Sequence, residues 1–327
     1  MTTQQTFALS PKTYPMDVFG FNGTGIQVQG YDNVQNPHVP VLKDYVFRKE
    51  TLRDVINFLD CNFDDGLLIF GPTGSGKTSV IEQIAARIHI PTYSYTCGGT
   101  TRFMDWVGQY VLINGETVWQ DGPLTKAMRE GGIFIANEID LVCPDQLAQA
   151  NGVLEGAPLL IAQKGGEIVR PHPSFRFVAT ANSNGGGSDG FYVGVQRQNL
   201  AFMDRFLVIH VDYPTPNIEL EILAKVAPLI PAAIAKKMIA VANHVRRTFT
   251  GSVEHDAYNG IDPTVTFSTR TLCRWAIQTQ RAQGAPCALS FALQTSLLNR
   301  ATAEEVVAIN IIAKGEFGPS YKEPDEI

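Results

Sequence analysis

The sequence predicts an α/β unit, a parallel sheet flanked by helices, followed by a small all-helical domain. Three observations carry that prediction. The run Leu67–Ser79 reads L-L-I-F-G-P-T-G-S-G-K-T-S, an apolar stretch, a glycine-rich turn and then the start of a helical pattern. Five apolar strand-like runs, Leu67–Phe70, Thr92–Thr96, Gly132–Ala136, Phe175–Thr180 and Phe206–Val211, alternate with helical segments. Continuous apolar runs separated by helices are the pattern of parallel strands buried on both faces. Beyond Pro214-Thr215-Pro216 the periodicity is helical, with Ile234, Met238, Val241 and Val245 on one stripe.

Within the first run, Gly71–Thr78 fill the pattern G-x-x-x-x-G-K-[ST]. Ile81, Ile84, Ala85 and Ile88 follow at helical spacing, so strand, glycine loop and helix stand in the order a P-loop requires. Glycines let backbone N–H groups turn inward around phosphate oxygens, and the helix N-terminus adds the positive end of its dipole. The candidate nucleotide-cradling residues are Gly71, Pro72, Thr73, Gly74, Ser75, Gly76, Lys77, Thr78 and Ser79. Lys77 is expected to reach the terminal phosphates, and the Thr78 hydroxyl to coordinate Mg²⁺. A nucleoside triphosphate is the expected ligand.

The remaining elements follow in order. Residues 1–45, rich in Gly, Pro, Asn and Gln, read as an extended N-terminal arm. Leu52, Val55, Ile56 and Leu59 place a helix over Arg48–Asp60. Residues 46–213 form the expected nucleotide-binding α/β domain, 214–313 a helical lid and 314–327 a tail. In the lid, Leu272, Trp275 and Ala276 begin a helix after Ser268-Thr269. Ala288–Asn299 and Thr302–Ile312 read as two more, and Gly251–Val265 as a polar connection. This layout resembles that of the AAA+ ATPases.

Composition narrows the field. The chain has 327 residues, 44% apolar and 18% charged, with no apolar run near the length that crosses a bilayer. The polar start Met1–Thr6 lacks the form of a secretory signal, so a soluble, cytoplasmic protein is expected. Its 5 cysteines and 6 histidines are scattered without metal-ligand or disulfide spacing. A net charge of −6 disfavours nucleic acid, and the basic pairs Lys236-Lys237 and Arg246-Arg247 are expected on wet helix faces.

Hydrolysis needs more than a P-loop. Glu138 emerges at the end of the apolar run Ile133–Ala136, where a carboxylate polarises the attacking water. The position before it, usually Asp, is Asn137. Its amide oxygen accepts from metal-bound water but brings no negative charge, so slow hydrolysis or weak Mg²⁺ binding is expected, with Asp140 a compensating carboxylate. Asn182 follows the next strand at a place that resembles the sensor-1 position. Arg205 in Phe202–Phe206 resembles an arginine finger, which reaches a neighbouring subunit's nucleotide, and Arg270 in Phe267–Arg270 matches the sensor-2 position.

With these residues assembled, the chain resembles the MoxR branch of AAA+ proteins, and within it the family of the cobaltochelatase subunit CobS. The resemblance runs over most of the chain. It includes Val18–Gly20, Pro37–Pro40, Asp44–Phe47, Ile168–Phe177, Ala179–Asn182 and stretches between Gly190 and Arg205. Two hairpins fit the branch: a helix-2 insert over 109–119 turning at Asn114-Gly115, and a pre-sensor-1 hairpin over 158–170 turning at Gly165-Gly166. The resemblance implies ATP and Mg²⁺, a homo-hexameric ring, and remodelling of a protein partner, commonly one with a von Willebrand factor A domain. In cobaltochelatase that partnership serves cobalt insertion by a separate large subunit. Relatives act on other complexes, so the client stays open. Two other readings remain: a nucleic-acid-linked ring ATPase, and a weakly hydrolysing ATP-gated scaffold that Asn137 would suit.

Overall fold

Contacts divide the chain into two units, Met1–Gly71 with Gly76–Val211, and Pro72–Ser75 with Asp212–Ile327. The computed structural model describes residues 9–33, 35–61, 64–187, 194–249 and 265–322. The polar connection expected at Gly251–Val265 lies, save for Val265, outside the described residues. So do the first 8 residues of the arm, part of the stretch after Gly190, and residues 323–327 of the tail.

In the first unit, strands β1 (Pro11–Pro15) and β2 (Gln27–Tyr31) pair antiparallel within the arm. No periodicity announced them, because the apolar residues that hold them are few and far apart. Tyr14, Phe19 and Val28 pack into the same core as the helix α1 (Lys49–Asp60) and the helix α2 (Lys77–Ile88). Gly30 lets β2 lie against α2, since a Cβ there would come within 2.3 Å of the Ile88 carbonyl.

The main sheet contains β3 (Gly66–Phe70), β4 (Thr92–Thr96), β7 (Gly132–Asn137), β10 (Phe175–Ala181) and β11 (Phe206–His210). Between β4 and β7 lie β5 (Gly108–Ile113) and β6 (Glu116–Asp121); between β7 and β10 lie β8 (Leu159–Ile161) and β9 (Glu167–Val169). The sheet order is β11-β3-β10-β7-β4, and every pair is parallel. Alternate side chains feed two cores. Leu67, Ile69, Ile133, Ile135 and Val178 pack with α1 and α2. Leu68, Phe134, Phe177 and Ala179 pack on the other face with Trp106, Leu124, Met128 and Leu147. Along β3 and β7 both faces are buried, which is why these two read as nearly unbroken apolar runs.

Strands β5 and β6 form an antiparallel hairpin through Asn114 (φ 50°) and Gly115 (φ 84°), the left-handed pair that a tight turn demands. Strands β8 and β9 form a second hairpin. Arg129 pairs with Asp121 at 2.8 Å and Glu167 at 2.6 Å, and Lys164 pairs with Glu167 at 2.8 Å, so the two hairpins share one ion-pair network. Hydrogen bonds from Lys164 and Arg129 hold the Glu167 carboxyl below its ordinary range.

The second unit is helical among the described residues, with helices at Pro216–Val226, Ala232–Phe249, Thr269–Arg281, Ala288–Ser296 and Ala303–Phe317. Met238, Val241, Val245, Leu272, Trp275, Ile309 and Phe317 form its core. Ser268 caps the third of these helices through the Thr271 N–H, and Thr302 and Glu305 close a capping box on the last. Arg246 corrects an expectation. It does not face water but is 5% exposed, paired with the fully buried Glu219 at 2.7 Å and donating to the Phe267 carbonyl. A buried carboxylate on the neighbouring helix draws it inward, which the basic doublet alone does not reveal.

Candidate functional site

Parallel strands put their carboxyl ends on one side of a sheet, and ligands of open α/β sheets bind there, where the strand order reverses. Here β3, β10 and β7 are successive neighbours, and their ends deliver Gly71, Asn182 and Asn137 to one place. Gly71 turns out of β3 at φ 149°, and a Cβ there would sit 2.1 Å from the Val211 carbonyl oxygen. Gly76, at φ 96°, is the N-cap of α2, whose first amides follow directly from the loop. The loop tip Pro72–Ser75 groups with the second unit, where the Tyr213 hydroxyl donates to the Thr73 carbonyl at 3.1 Å.

Lys77 Nζ donates to the Gly71 carbonyl at 2.7 Å and to Asn182 Oδ1 at 2.9 Å. Thr78 Oγ1 donates to Asn137 Oδ1 at 2.7 Å. The same Asn137 oxygen accepts from Thr180 Oγ1 at 3.2 Å, and Thr180 Oγ1 accepts the Glu138 N–H at 3.3 Å. Glu138 is exposed and sits at φ 56°. A left-handed backbone costs a side-chain-bearing residue about 1–2 kcal/mol, so surrounding bonds must hold it there.

Asp140, expected as a compensating carboxylate, is buried and bound to the protein's own amides. It is 1% exposed, and its Oδ2 accepts the N–H groups of Asn182 at 2.8 Å and Ser183 at 3.1 Å. The carboxylate therefore fixes the turn that presents Asn182. Nearby, the Cys97 thiol is pushed up to about 12 by burial and by the charges of Glu138 and Asp140. It stays protonated and unreactive at neutral pH.

The residues fit Mg²⁺ held jointly with a nucleotide. No cluster of three or more His, Cys, Asp or Glu among the described residues suits a metal by itself. Thr78 points its O–H at Asn137 as a hydrogen-bond donor, which leaves the hydroxyl lone pairs free for a cation whose other ligands are phosphates and water.

The structure thus brings Lys77, Thr78, Asn137, Glu138 and Asn182 together, and adds Thr180, which the sequence reading passed over as a strand residue. It does not bring Arg205 to them. The Arg205 carbonyl accepts the Gly66 N–H at 2.9 Å, at the amino end of β3 and so at the far edge of the sheet from Gly71. Its guanidinium pairs with Glu155, Nε donating to Oε1 at 2.9 Å, and also reaches the Ala201 carbonyl. Arg270 is exposed near the start of Thr269–Arg281 in the second unit.

Two families match. The AAA domain (dynein-related subfamily) matches residues 66–206, and the CbbQ/NirQ/NorQ C-terminal domain matches residues 219–314. Protein NorQ of Paracoccus denitrificans (strain Pd 1222) is 33% identical over 49% of this chain and 57% of its own length. Protein CbbQ of Hydrogenophilus thermoluteolus is 32% identical over 54% of this chain and 63% of its own. The aerobic cobaltochelatase subunit CobS of Sinorhizobium sp is 29% identical over 94% of this chain and 91% of its own. The matched part of the chain therefore spans less than two thirds of NorQ and CbbQ and nearly all of CobS.

Proposed function

Because this chain belongs to the MoxR-like branch of the AAA+ ATPases, we propose that it hydrolyses ATP with Mg²⁺ and uses the energy, as a homo-hexameric ring, to remodel a protein partner. The observation that carries the reading is the meeting of Lys77, Thr78, Asn137, Glu138 and Asn182 at the carboxyl ends of β3, β7 and β10. Mg²⁺ supplies charge neutralisation across the phosphates when bound. Lys77 exchanges the Gly71 and Asn182 oxygens for phosphate oxygens, since an ammonium held by neutral acceptors gains from an anionic one. Thr78 and Asn137 hold the metal side of the site. Glu138 takes the proton of the attacking water, and Asn182 orients that water.

Arg205 lies at the other edge of the sheet from its own loop, which suits action on the nucleotide of an adjacent subunit. Arg270 takes the sensor-2 role on the sequence pattern. The client is a protein, with a von Willebrand factor A domain protein as the partner of first choice; cobalt insertion is the nearest role, given the likeness to CobS. The net charge of −6 disfavours nucleic acid. Asn137 favours one second reading, an ATP-gated scaffold with little turnover. Measuring Mg²⁺-dependent phosphate release alongside particle mass tests both: ATP-dependent rings with steady turnover support the first, and rings that assemble on ATP without turnover support the second.

A further inference from the structure

Strand β10 is apolar through Phe177-Val178-Ala179 and then places one hydroxyl, Thr180, 2% exposed, between two parts of the site. The β10–β7 register runs from Phe175↔Gly132 to Ala179↔Ala136, so Thr180 falls beside Asn137 where that ladder stops. Its Oγ1 donates to Asn137 Oδ1 and accepts the Glu138 N–H. That N–H has left the ladder because Glu138 turns into the left-handed region. One hydroxyl therefore sets the amide oxygen that also receives Thr78 and holds the strained backbone from which the Glu138 carboxylate projects.

We propose that Thr180 is a positioning residue for hydrolysis, acting through the Glu138 backbone without touching the nucleotide, since Asn137 Oδ1 keeps its bond from Thr78 when the Thr180 hydroxyl is removed. The proposal rests on the hydrolytic reading of Glu138 given above. Without the hydroxyl, the Glu138 N–H loses its acceptor and the turn relaxes, carrying the carboxylate away from the water it must polarise. A displacement near 1 Å costs on the order of 100-fold in rate. ATP is held by the loop and Lys77, so its affinity is spared.

Thr180→Val keeps the shape and the strand preference while removing both bonds, and Thr180→Ser keeps the hydroxyl. In the full chain, valine should lower kcat about 100-fold while the Kd for ATP stays within about twofold, and serine should restore kcat. In a Glu138→Gln background, Thr180→Val should add no more than about twofold, because both changes act on one group. If valine does not fold, Thr180→Ala replaces it under the same expectations. The proposal is overturned by a wild-type kcat in the hydroxyl-free variant, by equal loss of ATP affinity and turnover, or by failure of serine to restore the rate. Wild-type turnover in Glu138→Gln alone would instead sink the hydrolytic assignment on which it rests.

Discussion

Lys77 Nζ donates to Asn182 Oδ1 at 2.9 Å, so the cation of the glycine loop and the amide at the end of the adjacent strand face each other across the site. Both are poised on the same space, one to meet phosphate and the other to hold water. Asp140 keeps Asn182 there by binding its backbone N–H. Filling that space with a nucleotide requires Lys77 to change partners while Asn182 keeps its backbone anchor.

Lys77→Ala should weaken ATP binding about 100-fold, the size of a lost charge-assisted contact to phosphate. Isothermal titration of wild type and variant reads this directly. A variant that binds ATP with unchanged affinity would remove Lys77 from the site.

Asn137→Asp should keep the bonds from Thr78 and Thr180, since a carboxylate oxygen accepts as the amide oxygen does. It adds a negative charge beside the metal. An increase in kcat of about tenfold, near 1.4 kcal/mol in the barrier, is expected with a lower Mg²⁺ requirement. An unchanged rate across a Mg²⁺ titration would show that the asparagine costs nothing, and the scaffold reading would lose its support.

Glu138→Gln and Arg205→Ala rings should each be nearly inactive, for different reasons. If Arg205 serves the adjacent subunit, mixing the two variants creates interfaces that carry both native groups, and activity should return. Particle mass with ATP present checks that mixed rings form. The Glu155 pair that holds Arg205 is exposed on the carboxylate side, and such pairs contribute only about 0–1 kcal/mol, so a phosphate displaces Glu155 readily. Normal hydrolysis by Arg205→Ala alone would end the assignment.

Glu219→Ala should destabilise the helical unit by about 3–5 kcal/mol, because it strands the Arg246 charge in a buried site that Glu219 and the Phe267 carbonyl now share. Urea unfolding followed by circular dichroism measures it. A loss below about 1 kcal/mol would mean that water reaches Arg246 in the variant.

The glycine loop, the strands beside it and the helical character of the described residues beyond Pro216 were legible in the sequence, because each is written in adjacent residues. An apolar run followed by G-P-T-G-S-G-K-T specifies its own turn, and a strand buried on both faces declares itself by lacking alternation. The tertiary structure alone decided the rest. Placing β10 between β3 and β7 sets Thr180 against Asn137 and Glu138, and Asn182 against Lys77 and Asp140, across gaps of 43, 42, 105 and 42 residues. In sequence Thr180 is one more strand residue, Asp140 a spare carboxylate near a metal, and Arg246 half of a surface basic pair. Each role came from what the neighbouring strand or helix presents to it, and local periodicity holds no record of which strands become neighbours.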